Sequence, residues 1–595
     1  MITQSRPLVF DVSRSVLGRR WCLRKADDRM ALALSQRLSV PEVIGRVLAA
    51  RGVDLDSAIG HLNPTLRENL PNPSQFKDMD VAAQRLAQAI MADELITVFG
   101  DYDVDGATSA ALLKRFCEEV GGRLKVYIPD RVKEGYGPNV HALKKIATDG
   151  TQLLITVDCG TLAHEPLSLA AEMGLDVIVA DHHIAEPSLP TALAVVNPNR
   201  IDEDGGYEQL AAVGVTFMLV IATNRVLRGF GWYNQRPKPD LMQWLDLVAL
   251  GTVCDVVPLV GVNRALVTKG LEVFRYRRNL GLLALSEIAQ ISGPVEAYHL
   301  GFVMGPRVNA GGRVGKADLG TRLLTTRNTG EARDIASALN KLNDERRAIE
   351  AMVLEQALQS VERCYEGMLD SIIVVSGKGW HQGVIGIVAS RLKDRFNRPA
   401  VVITIDEDGV GRGSARSIAG IDLGAAVVAA KEAEILLSGG GHAMAAGLTI
   451  SSEKLNDFRE FISSRITLAG KHGIEDPSIN VDAAVAASAI NHELYEMLLS
   501  VGPYGAGNPQ PRFAIANAQV VGAKVVGNGH VRCALKGGDG SFLNAIAFGH
   551  AEGPIGKALL QSRSSQVHVV GTIGRDNRAR MQLVVEDVAN IDVST

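Results

Sequence analysis

The chain has 595 residues, of which 46% are hydrophobic and 22% charged, and its formal net charge is -4 at pH 7. This length predicts about three to five domains with ample core. No apolar run approaches the roughly 20 residues that cross a bilayer. The first fifteen residues lack the apolar stretch of a signal peptide, so we expect a cytoplasmic protein rather than a secreted or membrane-spanning one.

The six cysteines are scattered and form no C-x-x-C pair, which favours reduced thiols over a zinc ribbon or a disulfide framework. Net charge neither supports nor excludes a nucleic-acid partner. Basic clusters occur at Arg275–Arg278, Arg391–Arg398 and Arg575–Arg580. Taken alone, each cluster favours a solvated face over a track that binds phosphates.

Residues 1–75 are predicted to form a helical lead-in, and from about residue 76 apolar runs typical of strands alternate with helical patterns. This alternation predicts a mostly parallel, doubly wound α/β sheet. In such sheets ligands bind outside the carboxyl ends of the strands. Four apolar runs, each interpreted as a strand, are followed by acidic residues: Leu95–Phe99 by GDYDVDG, Leu153–Val157 by Asp158, Leu175–Ala180 by Asp181-His182-His183, and LDLVALGTVC by Asp255.

The GDYDVDG run places Asp101, Asp103 and Asp105 at alternate positions. One aspartate suffices to cap a helix, whereas three bring like charges together and need a compensating cation. Carboxylate and imidazole ligands suit Mn²⁺ or Mg²⁺. The sequence therefore predicts a site for two divalent cations.

In the predicted site Asp158 is central enough to bridge two ions, and His182 and Asp255 complete the second. Asp181 is expected to orient a histidine, which leaves His183 free to contact a scissile phosphate. A pair of metal ions activates water and stabilises both the attacking and the leaving oxygen. The predicted chemistry is two-metal hydrolysis of a phosphoester, with Asp158 and His183 as catalytic residues.

Two glycine-rich turns are candidate phosphate contacts. Gly305–Gly315 carries Arg307, Asn309 and Arg313, and Ser438–Gly447 carries His442. The segment GRGSARS lies close to the second turn in the sequence. A turn without any binding role is an equally valid interpretation of each.

The later part of the chain predicts a long helix, a second α/β unit and a small barrel. The helix covers residues 331–360 with Thr329 as its cap, and the barrel begins near Ile479. Five short strands with glycine-rich turns are typical of an OB-fold. The α/β unit comprises strand Ser371–Val375, helix Gln382–Phe396, strand Ala400–Ile405 and a helix near Ser452–Leu468.

An ordered series of motifs resembles the DHH phosphoesterase superfamily and, within it, the RecJ family of single-strand-specific DNA exonucleases. The resemblance runs from about residue 50 to the C-terminus and is carried by GDYDVDGATSA, VDCG, ADHH, GTVCDVVPL, GPRVNAGGR, HQGVIGIVASRL with GSARS and GGGHAMAAG, and PYGAGNPQPRF. It implies a DHH catalytic domain at 76–325, a connecting helix at 326–360, a DHH-associated α/β domain at 361–470 and an OB-fold at 471–595.

The resemblance also implies an activity, partners and ligand sets. The activity is 5′→3′ removal of mononucleotides from single-stranded DNA with Mn²⁺ or Mg²⁺, in bacterial repair and recombination, by a monomer that works beside a RecQ-type helicase and single-strand binding protein. One metal would be held by Asp101, Asp103 and Asp158, and the other by Asp105, Asp158, His182 and Asp255. Substrate would contact Arg131, Tyr136, Arg307, Asn309, Arg313, His381, Ser414, Arg416 and His442.

One position departs from the family pattern. Many members carry a histidine two residues before the first motif aspartate, where this chain has Phe99. We therefore expect the first metal to bind more weakly.

Three alternative functions remain open at this stage. A phosphodiesterase of short oligonucleotides or cyclic dinucleotides, or a pyrophosphatase, would not need the barrel. A non-catalytic DNA-binding scaffold could afford to lose metal ligands, whereas this chain keeps them.

Overall fold

The structure of the protein is a computed structural model that describes residues 6–131, 133–365, 370–469, 477–561, 565–576 and 578–591. The chain forms two compact units. One comprises residues 71–257 and 269–474, and the other comprises the residues up to 70 together with 258–268 and 475–595. The domain boundaries implied by the sequence motifs remain a proposal.

The described residues form a mixture of strands and α-helices. The strands are β1 (Arg20–Leu23), β2 (Leu95–Gly100), β3 (Arg123–Tyr127), β4 (Leu153–Val157), β5 (Asp176–Ala180), β6 (Ala194–Val196), β7 (Ile373–Lys378), β8 (Ala400–Ile405), β9 (Val410–Arg416), β10 (Ser438–His442), β11 (Ala445–Ser451), β12 (Ser478–Val481), β13 (Ala483–Ala484), β14 (Arg512–Val526), β15 (His530–Lys536), β16 (Phe542–Ala547), β17 (Gln566–Arg575) and β18 (Met581–Asn590). The helices are α1 (Asp28–Leu38), α2 (Glu42–Ala49), α3 (Ala58–Leu62), α4 (Leu66–Asn69), α5 (Met79–Met91), α6 (Val104–Val120), α7 (Val140–Thr148), α8 (His164–Glu172), α9 (Ala212–Gly229), α10 (Leu245–Cys254), α11 (Gly261–Phe274), α12 (Leu280–Ile288), α13 (Gly305–Val314), α14 (Leu319–Thr325), α15 (Thr329–Tyr365), α16 (Gln382–Phe396), α17 (Leu423–Glu432), α18 (Leu455–Ala469), α19 (His492–Val501) and α20 (Pro554–Gln561).

The first sheet has the strand order β3-β2-β4-β5-β6, and every pair in it is parallel. Its central strand β4 is buried at all five positions, as expected for a strand covered on both faces. From β2 the chain adds β3 on one side of the sheet and then β4, β5 and β6 on the other. The carboxyl ends of β2 and β4 therefore lie side by side at the point where the two connections leave in opposite directions. The predicted doubly wound parallel sheet is confirmed, and such a crevice is where ligands bind.

The run before Asp255 was predicted to be a strand, and this prediction is wrong. Residues Leu245–Cys254 form helix α10, which is buried over most of its length. A continuous apolar run of ten residues does not separate a buried helix from a buried strand, because neither shows a polar face. Asp255 therefore reaches the site from the C-terminus of a helix. Gly251 permits the close packing, since a Cβ there would lie 2.3 Å from Thr108 Oγ1.

The second sheet has the order β10-β11-β9-β8-β7, in which only β7 and β8 pair in parallel. The segment Ser438–Gly447 was predicted to be a glycine-rich turn, but it forms β10, the tight turn of a hairpin, and the start of β11. Gly440 pairs with Gly447 across the hairpin. Glycine lowers strand propensity, and here pairing with a neighbouring strand outweighs it.

The connecting helix α15 begins at Thr329 and ends at Tyr365. Its cap is Asn328 rather than the predicted Thr329, because Asn328 Oδ1 accepts a hydrogen bond from the amide of Glu331 at 3.0 Å. The buried side chains of Val353 and Val361 pack in the same apolar cluster as β7 and β8. The C-terminal half of the helix is thereby part of the second α/β unit.

Five strands of the second compact unit close into a barrel in the order β14-β15-β16-β18-β17, with β17 pairing back onto β14. They coincide with the five predicted strands, so the predicted barrel is confirmed. The N-terminal lead-in is part of this unit. Strand β1 pairs in parallel with β12, and the fully buried Trp21 donates its Nε1–H to Asp587 at 3.1 Å.

By length and composition one helix among the described residues, α9, could span a membrane, and 72% of it is buried inside the protein. Cys22, Cys117, Cys159, Cys254 and Cys533 are free thiols, and the side chain of Cys364 lies outside the described residues.

Candidate metal centre

The loop between β2 and α6 carries three of the predicted metal ligands. Asp101 follows β2 directly, and Asp103 caps α6 because its Oδ1 accepts hydrogen bonds from the amides of Asp105 at 2.9 Å and Gly106 at 3.1 Å. A Cβ at Gly106 would lie 2.5 Å from the carbonyl oxygen of Asp101, so only glycine permits this turn. The capping role and a ligand role use different lone pairs of Asp103.

Asp105 is held by the N-terminus of α9. Its Oδ2 accepts from the amide of Ala212 at 2.7 Å and its Oδ1 from the amide of Val213 at 2.9 Å. The first turn of a helix favours a negative charge, so α9 stabilises the carboxylate. Nothing in the apolar sequence around Ala212 signals this contact, and sequence reasoning missed it.

The ends of β2, β4, β5 and α10 bring the predicted ligands together. Asp158 sits at the end of β4 in the left-handed region, with φ +59°. His182 lies between two carboxylates, with Nε2 3.4 Å from Asp158 Oδ1 and Nδ1 3.6 Å from Asp255 Oδ2. Three groups each offer ligand atoms within 4.8 Å of one another: Asp101 with Asp103 and Asp158; Asp105 with His182 and Asp255; and Asp158 with His182 and His183. The ligand sets implied by the sequence motifs draw on these residues and stay a prediction.

The electrostatics of the cluster call for a cation. Burial, reinforced by repulsion from neighbouring carboxylates, raises the pKa of Asp101 and Asp158 well above the usual range. The same causes raise the pKa of Asp105 to about 7 and that of Asp255 to about 9. Asp101 Oδ1 and Asp255 Oδ2 are buried without a hydrogen-bond partner. Such oxygens, with an imidazole beside them, fit hard divalent cations such as Mn²⁺ or Mg²⁺.

Asp181 serves the two histidines. Its Oδ1 accepts from the backbone amides of His182 and His183 at 2.7 and 3.2 Å and lies 2.8 Å from His183 Nδ1. Its Oδ2 accepts from the amide of Thr161 at 3.1 Å. Burial acts to raise the pKa of Asp181, but the hydrogen bond with His183 and the other bonds outweigh it and lower that pKa. The ion pair raises the pKa of His183 despite burial, which favours the imidazolium.

An Asn-Pro-Asn segment after β6 holds the backbone of His182 and His183 through two hydrogen bonds. Asn197 Nδ2 donates to the carbonyl of His183 at 2.8 Å, and Asn199 Nδ2 donates to the carbonyl of His182 at 2.6 Å. Asn197 is fully buried. Sequence reasoning missed both, although a pair of amides flanking a proline just after a strand is a usable signal.

Arg131 and Tyr136 lie beside the cluster. The Tyr136 hydroxyl donates to the carbonyl of Asp158 at 3.1 Å and lies 3.4 Å from both ring nitrogens of His183, while 55% of the residue is exposed. The Arg131 guanidinium lies 5.0 Å from the centre of the Tyr102 ring. A planar exposed ring and a cation thus border the acidic cluster.

The segment Gly305–Gly315 was predicted to be a turn but forms helix α13 up to Val314. Its glycines serve close packing, since a Cβ at Gly312 would lie 2.6 Å from the carbonyl oxygen of Tyr102. Several glycines in ten residues suggested a turn, and tertiary contacts outweigh that propensity. The helix thereby lies directly against the metal-binding loop.

The polar residues of α13 differ in what they contact. Arg307 donates to the carbonyl of Val303 at 2.6 Å and to Asn340 Oδ1 at 3.0 Å, so it ties α13 to α15. Arg313 donates to the carbonyl of Gly383 at 3.1 Å. Burial, with repulsion from other guanidinium groups, lowers the pKa of Arg313 to about 10. Asn309 is half-buried on the same helix.

The remaining predicted substrate contacts lie in the second α/β unit. His381 caps α16, with Nδ1 accepting from the amide of Gly383 at 3.0 Å. Arg416 donates to Ser414 Oγ at 3.1 Å and to the carbonyl of Ala415. Burial and repulsion from Arg131 lower the pKa of Arg416, so these two cations face one region. His442 is exposed at the end of β10, and within the described part of the chain no hydrogen bond or ion pair joins it to the cluster.

Phe99 lies in β2, two residues before Asp101. It is fully buried in an apolar cluster and stacks on Tyr127 with ring centres 5.5 Å apart. Phe99 therefore contributes packing to the sheet at this position.

Comparison with known proteins decides the family. Residues 95–252 match the DHH family N-terminal domain, 369–468 the DHHA1 domain and 481–587 the RecJ OB domain. The single-stranded-DNA-specific exonuclease RecJ of Bacillus subtilis is 34% identical over 579 residues, covering 96% of this chain and 71% of the relative. The chain belongs to the RecJ family.

Two further relatives support the RecJ assignment. The Salmonella typhimurium exonuclease RecJ is 35% identical, covering 88% of this chain and 91% of the relative. The crystal structure of Thermus thermophilus RecJ in complex with Mn²⁺ has a TM-score of 0.79 at 27% identity, covering 96% of this chain and 79% of that one. The resemblance found in the sequence motifs is therefore confirmed.

The raised carboxyl pKa values of this RecJ-family site predict a pH-dependent response to metal. An aspartyl whose pKa folding raises from 3.8 stabilises the fold at low pH and loses that contribution as pH rises through the folded value, about 7 for Asp105 and about 9 for Asp255. Metal replaces the protons, so the rise in unfolding midpoint caused by Mg²⁺ should be several degrees larger at about pH 8 than at about pH 6.

Thermal unfolding in Mg²⁺ or EDTA at both pH values measures this effect. The variant Asp255→Asn is the matched control, because it keeps the shape and removes one titrating ligand. An equal Mg²⁺-induced shift at both pH values in the unaltered protein would contradict the prediction.

Proposed function

We propose that this chain is a single-stranded-DNA-specific exonuclease that releases mononucleotides in the 5′→3′ direction. The observation that carries the proposal is the convergence of Asp101, Asp103, Asp105, Asp158, His182 and Asp255 at one edge of the sheet. The relatives named as single-stranded-DNA-specific exonucleases and the barrel in the same chain support the choice of substrate. The reaction would serve bacterial DNA repair and recombination.

Two divalent cations, Mn²⁺ or Mg²⁺, are the proposed cofactors. Asp101, Asp103 and Asp158 would hold one, and Asp105, Asp158, His182 and Asp255 the other. The metal pair would supply an activated water and stabilise the charge of the pentavalent phosphate. RecJ of Thermus thermophilus, which has been solved with Mn²⁺ and with Mg²⁺, supports this choice of ions.

The chain's own groups have separate proposed roles. His183, kept protonated by Asp181, donates a hydrogen bond to a non-bridging oxygen of the scissile phosphate. Tyr136, held by its hydroxyl at the carbonyl of Asp158, presents an exposed ring on which a terminal base stacks. Both groups depend on hydrogen bonds that already exist in the folded chain, so little reorganisation is needed.

Cationic residues are proposed to bind the strand on either side of the metals. Burial together with repulsion from Arg131 lowers the pKa of both Arg313 and Arg416, and a phosphate among these cations would relieve that repulsion. His381 and Ser414 belong to the same proposed surface. Arg307 acts mainly by positioning α13, since its guanidinium is engaged by Val303 and Asn340, whereas Asn309 stays a proposed substrate contact.

We predict that His442→Ala weakens substrate binding without loss of metal. Loss of an exposed imidazole that donates one hydrogen bond to phosphate should raise KM about three- to tenfold. Steady-state kinetics on a single strand and direct titration with Mn²⁺ measure the two effects separately. His141→Ala, another exposed histidine, is the control. Loss of Mn²⁺ binding in His442→Ala would contradict the prediction.

The partners and the location are also proposals. The chain would act as a monomer in the cytoplasm, beside a RecQ-type helicase that exposes single strands and a single-strand binding protein that covers them. Free thiols in the described part of the chain support a reducing compartment.

One experiment tests the function against its alternatives. A single-stranded oligonucleotide, labelled at its 5′ or its 3′ end, is incubated with the protein and Mn²⁺, with a matched duplex and a dinucleotide in parallel. Immediate release of the 5′ label as a mononucleotide, stepwise shortening of the 3′-labelled strand and an intact duplex are the expected results. Cleavage of the dinucleotide alone would indicate a small-substrate phosphodiesterase, and binding without cleavage a scaffold.

A further inference from the structure

The segment Arg275–Arg278 follows helix α11 and carries three arginines and one tyrosine. All four residues are exposed, and 70% of Tyr276 is accessible to solvent. Arg277 adopts the left-handed region with φ +53°, which turns the chain sharply between the two flanking helices. A basic residue after a helix interacts favourably with the negative C-terminal end of the helix dipole, but this interaction does not require three arginines.

The guanidinium groups of this segment have no acidic neighbours. Among the residues that the structure describes, no carboxylate lies within 4.0 Å of Arg275, Arg277 or Arg278. The nearest acidic residue in the sequence, Glu272, is paired with Lys269 at 2.9 Å. By contrast, Arg322 of the same unit is paired with Glu331 at 3.1 Å. The segment is therefore a local concentration of uncompensated positive charge.

Two further features suggest what this charge binds. Arg278 lies 5.5 Å from the centre of the Tyr276 ring, so a cation and an exposed aromatic face occur side by side. Arg275 and Arg277 line a cavity of about 210 Å³ whose other walls include Phe274, Ile291 and Pro294. Cationic contacts to phosphate together with an aromatic face for a base are the usual means of binding single strands without sequence preference.

The segment lies away from the metal cluster. Asn279, which follows it directly, donates to the carbonyl of Leu324 at 3.2 Å, and Arg115 Nε donates to the same carbonyl at 2.8 Å. Arg115 is ten residues beyond Asp105 on α6, which corresponds to about 15 Å along the helix axis. Only a DNA strand long enough to span this distance could contact the segment and the metal cluster at the same time.

We propose that Arg275–Arg278 is an auxiliary binding site for single-stranded DNA, separate from the metal centre. Arg275 and Arg277 contact backbone phosphates, and Tyr276 stacks on a base. The inference rests on the proposed function and adds to it a second contact for the strand. It implies that the segment contributes to the affinity for long strands and not to the cleavage step.

A charge-reversal double variant, Arg275→Glu/Arg277→Glu, tests the proposal together with Tyr276→Ala. The matched control is Lys431→Glu/Arg465→Glu, which makes the same change in net charge at exposed residues of α17 and α18. Affinity for a strand of about 30 nucleotides is measured with metal chelated, over a range of salt concentrations. Turnover of a trinucleotide with Mn²⁺ is measured separately.

The double variant should bind the long strand about tenfold or more weakly, with a salt slope reduced by about one to two, while trinucleotide turnover stays within about twofold. Tyr276→Ala should weaken long-strand binding about fivefold or more. Unchanged long-strand affinity in both variants would overturn the proposal. It would also be overturned if the double variant lost affinity only for a labelled acidic peptide. If the unaltered protein neither bound nor cut single strands, the proposed function would fail as well.

Discussion

Asp158→Asn is expected to lower single-strand hydrolysis by roughly a thousandfold or more, the scale of losing an essential catalytic group. Asp158 shares a group of candidate ligand atoms with Asp101 and Asp103 and lies 3.4 Å from His182, a proposed ligand of the other metal, so its loss should affect both proposed metals. The asparagine keeps the shape of the side chain and removes the charge. Mononucleotide release with saturating Mn²⁺ measures the loss.

Stability separates a lost ligand from a damaged fold. Repulsion and burial raise the pKa of Asp158, so removal of its charge should leave the metal-free unfolding midpoint unchanged or higher. Asp158 has φ +59°, a conformation that asparagine tolerates better than alanine. Asp158→Ala should therefore lose the same activity but cost about 1 kcal/mol more in unfolding free energy. Retained turnover in a folded Asp158→Asn protein would refute the assignment of Asp158.

The parts of the site that could be predicted from the sequence are those with strong local signals. Strand β4 coincides with a five-residue apolar run that ends at Asp158. The three alternate aspartates after β2 stand out because capping a helix needs only one of them. Parallel strand ends meet at one edge, which is why the positions of Asp101 and Asp158 followed from strand order.

The contacts that sequence reasoning missed depend on tertiary packing. Asp255 follows a helix that was predicted to be a strand. The prediction was wrong because α10 is buried on nearly all sides, so its sequence shows no helical period. The amides that hold Asp105 are backbone groups of an apolar segment, and backbone donors leave no trace in the choice of side chain. The same holds for the glycines of α13, whose need for space against Tyr102 appears only once the helix is placed.

The lead-in gives the clearest case of long-range structure. Residues before Leu70 show only short helical patterns, yet β1 pairs with a strand more than 450 positions later in the chain. Local sequence patterns do not reveal which distant segment will pair with β1, because the pairing depends on the apolar side chains that both segments bury together. Trp21, a large apolar side chain with one polar atom, is the residue that signals a buried partner.

A buried ion-pair cluster around Asp482 holds the N-terminal segment in this unit. The carboxylate of Asp482 is fully buried, with Oδ1 3.1 Å from Arg24 Nε and 3.0 Å from Arg51 Nη1. Its Oδ2 accepts from the amide of Arg512 at 3.0 Å. Asp482→Asn leaves two largely buried guanidinium groups without a counter-ion, because Arg24 and Arg51 have side-chain exposures of only 22% and 4%.

Removing one partner of a buried ion pair typically costs about 3–5 kcal/mol, so Asp482→Asn should destabilise this unit by that amount. Hydrogen exchange in β12 and β14, followed with denaturant unfolding of the full chain, measures the loss where it occurs. Asp28→Asn is the control, since it removes a partner of Arg46 in the same unit from a side chain that is 84% exposed, and should change stability far less. If the two variants exchanged β12 amides at the same rate, the buried cluster would not be what holds the N-terminal segment against the barrel.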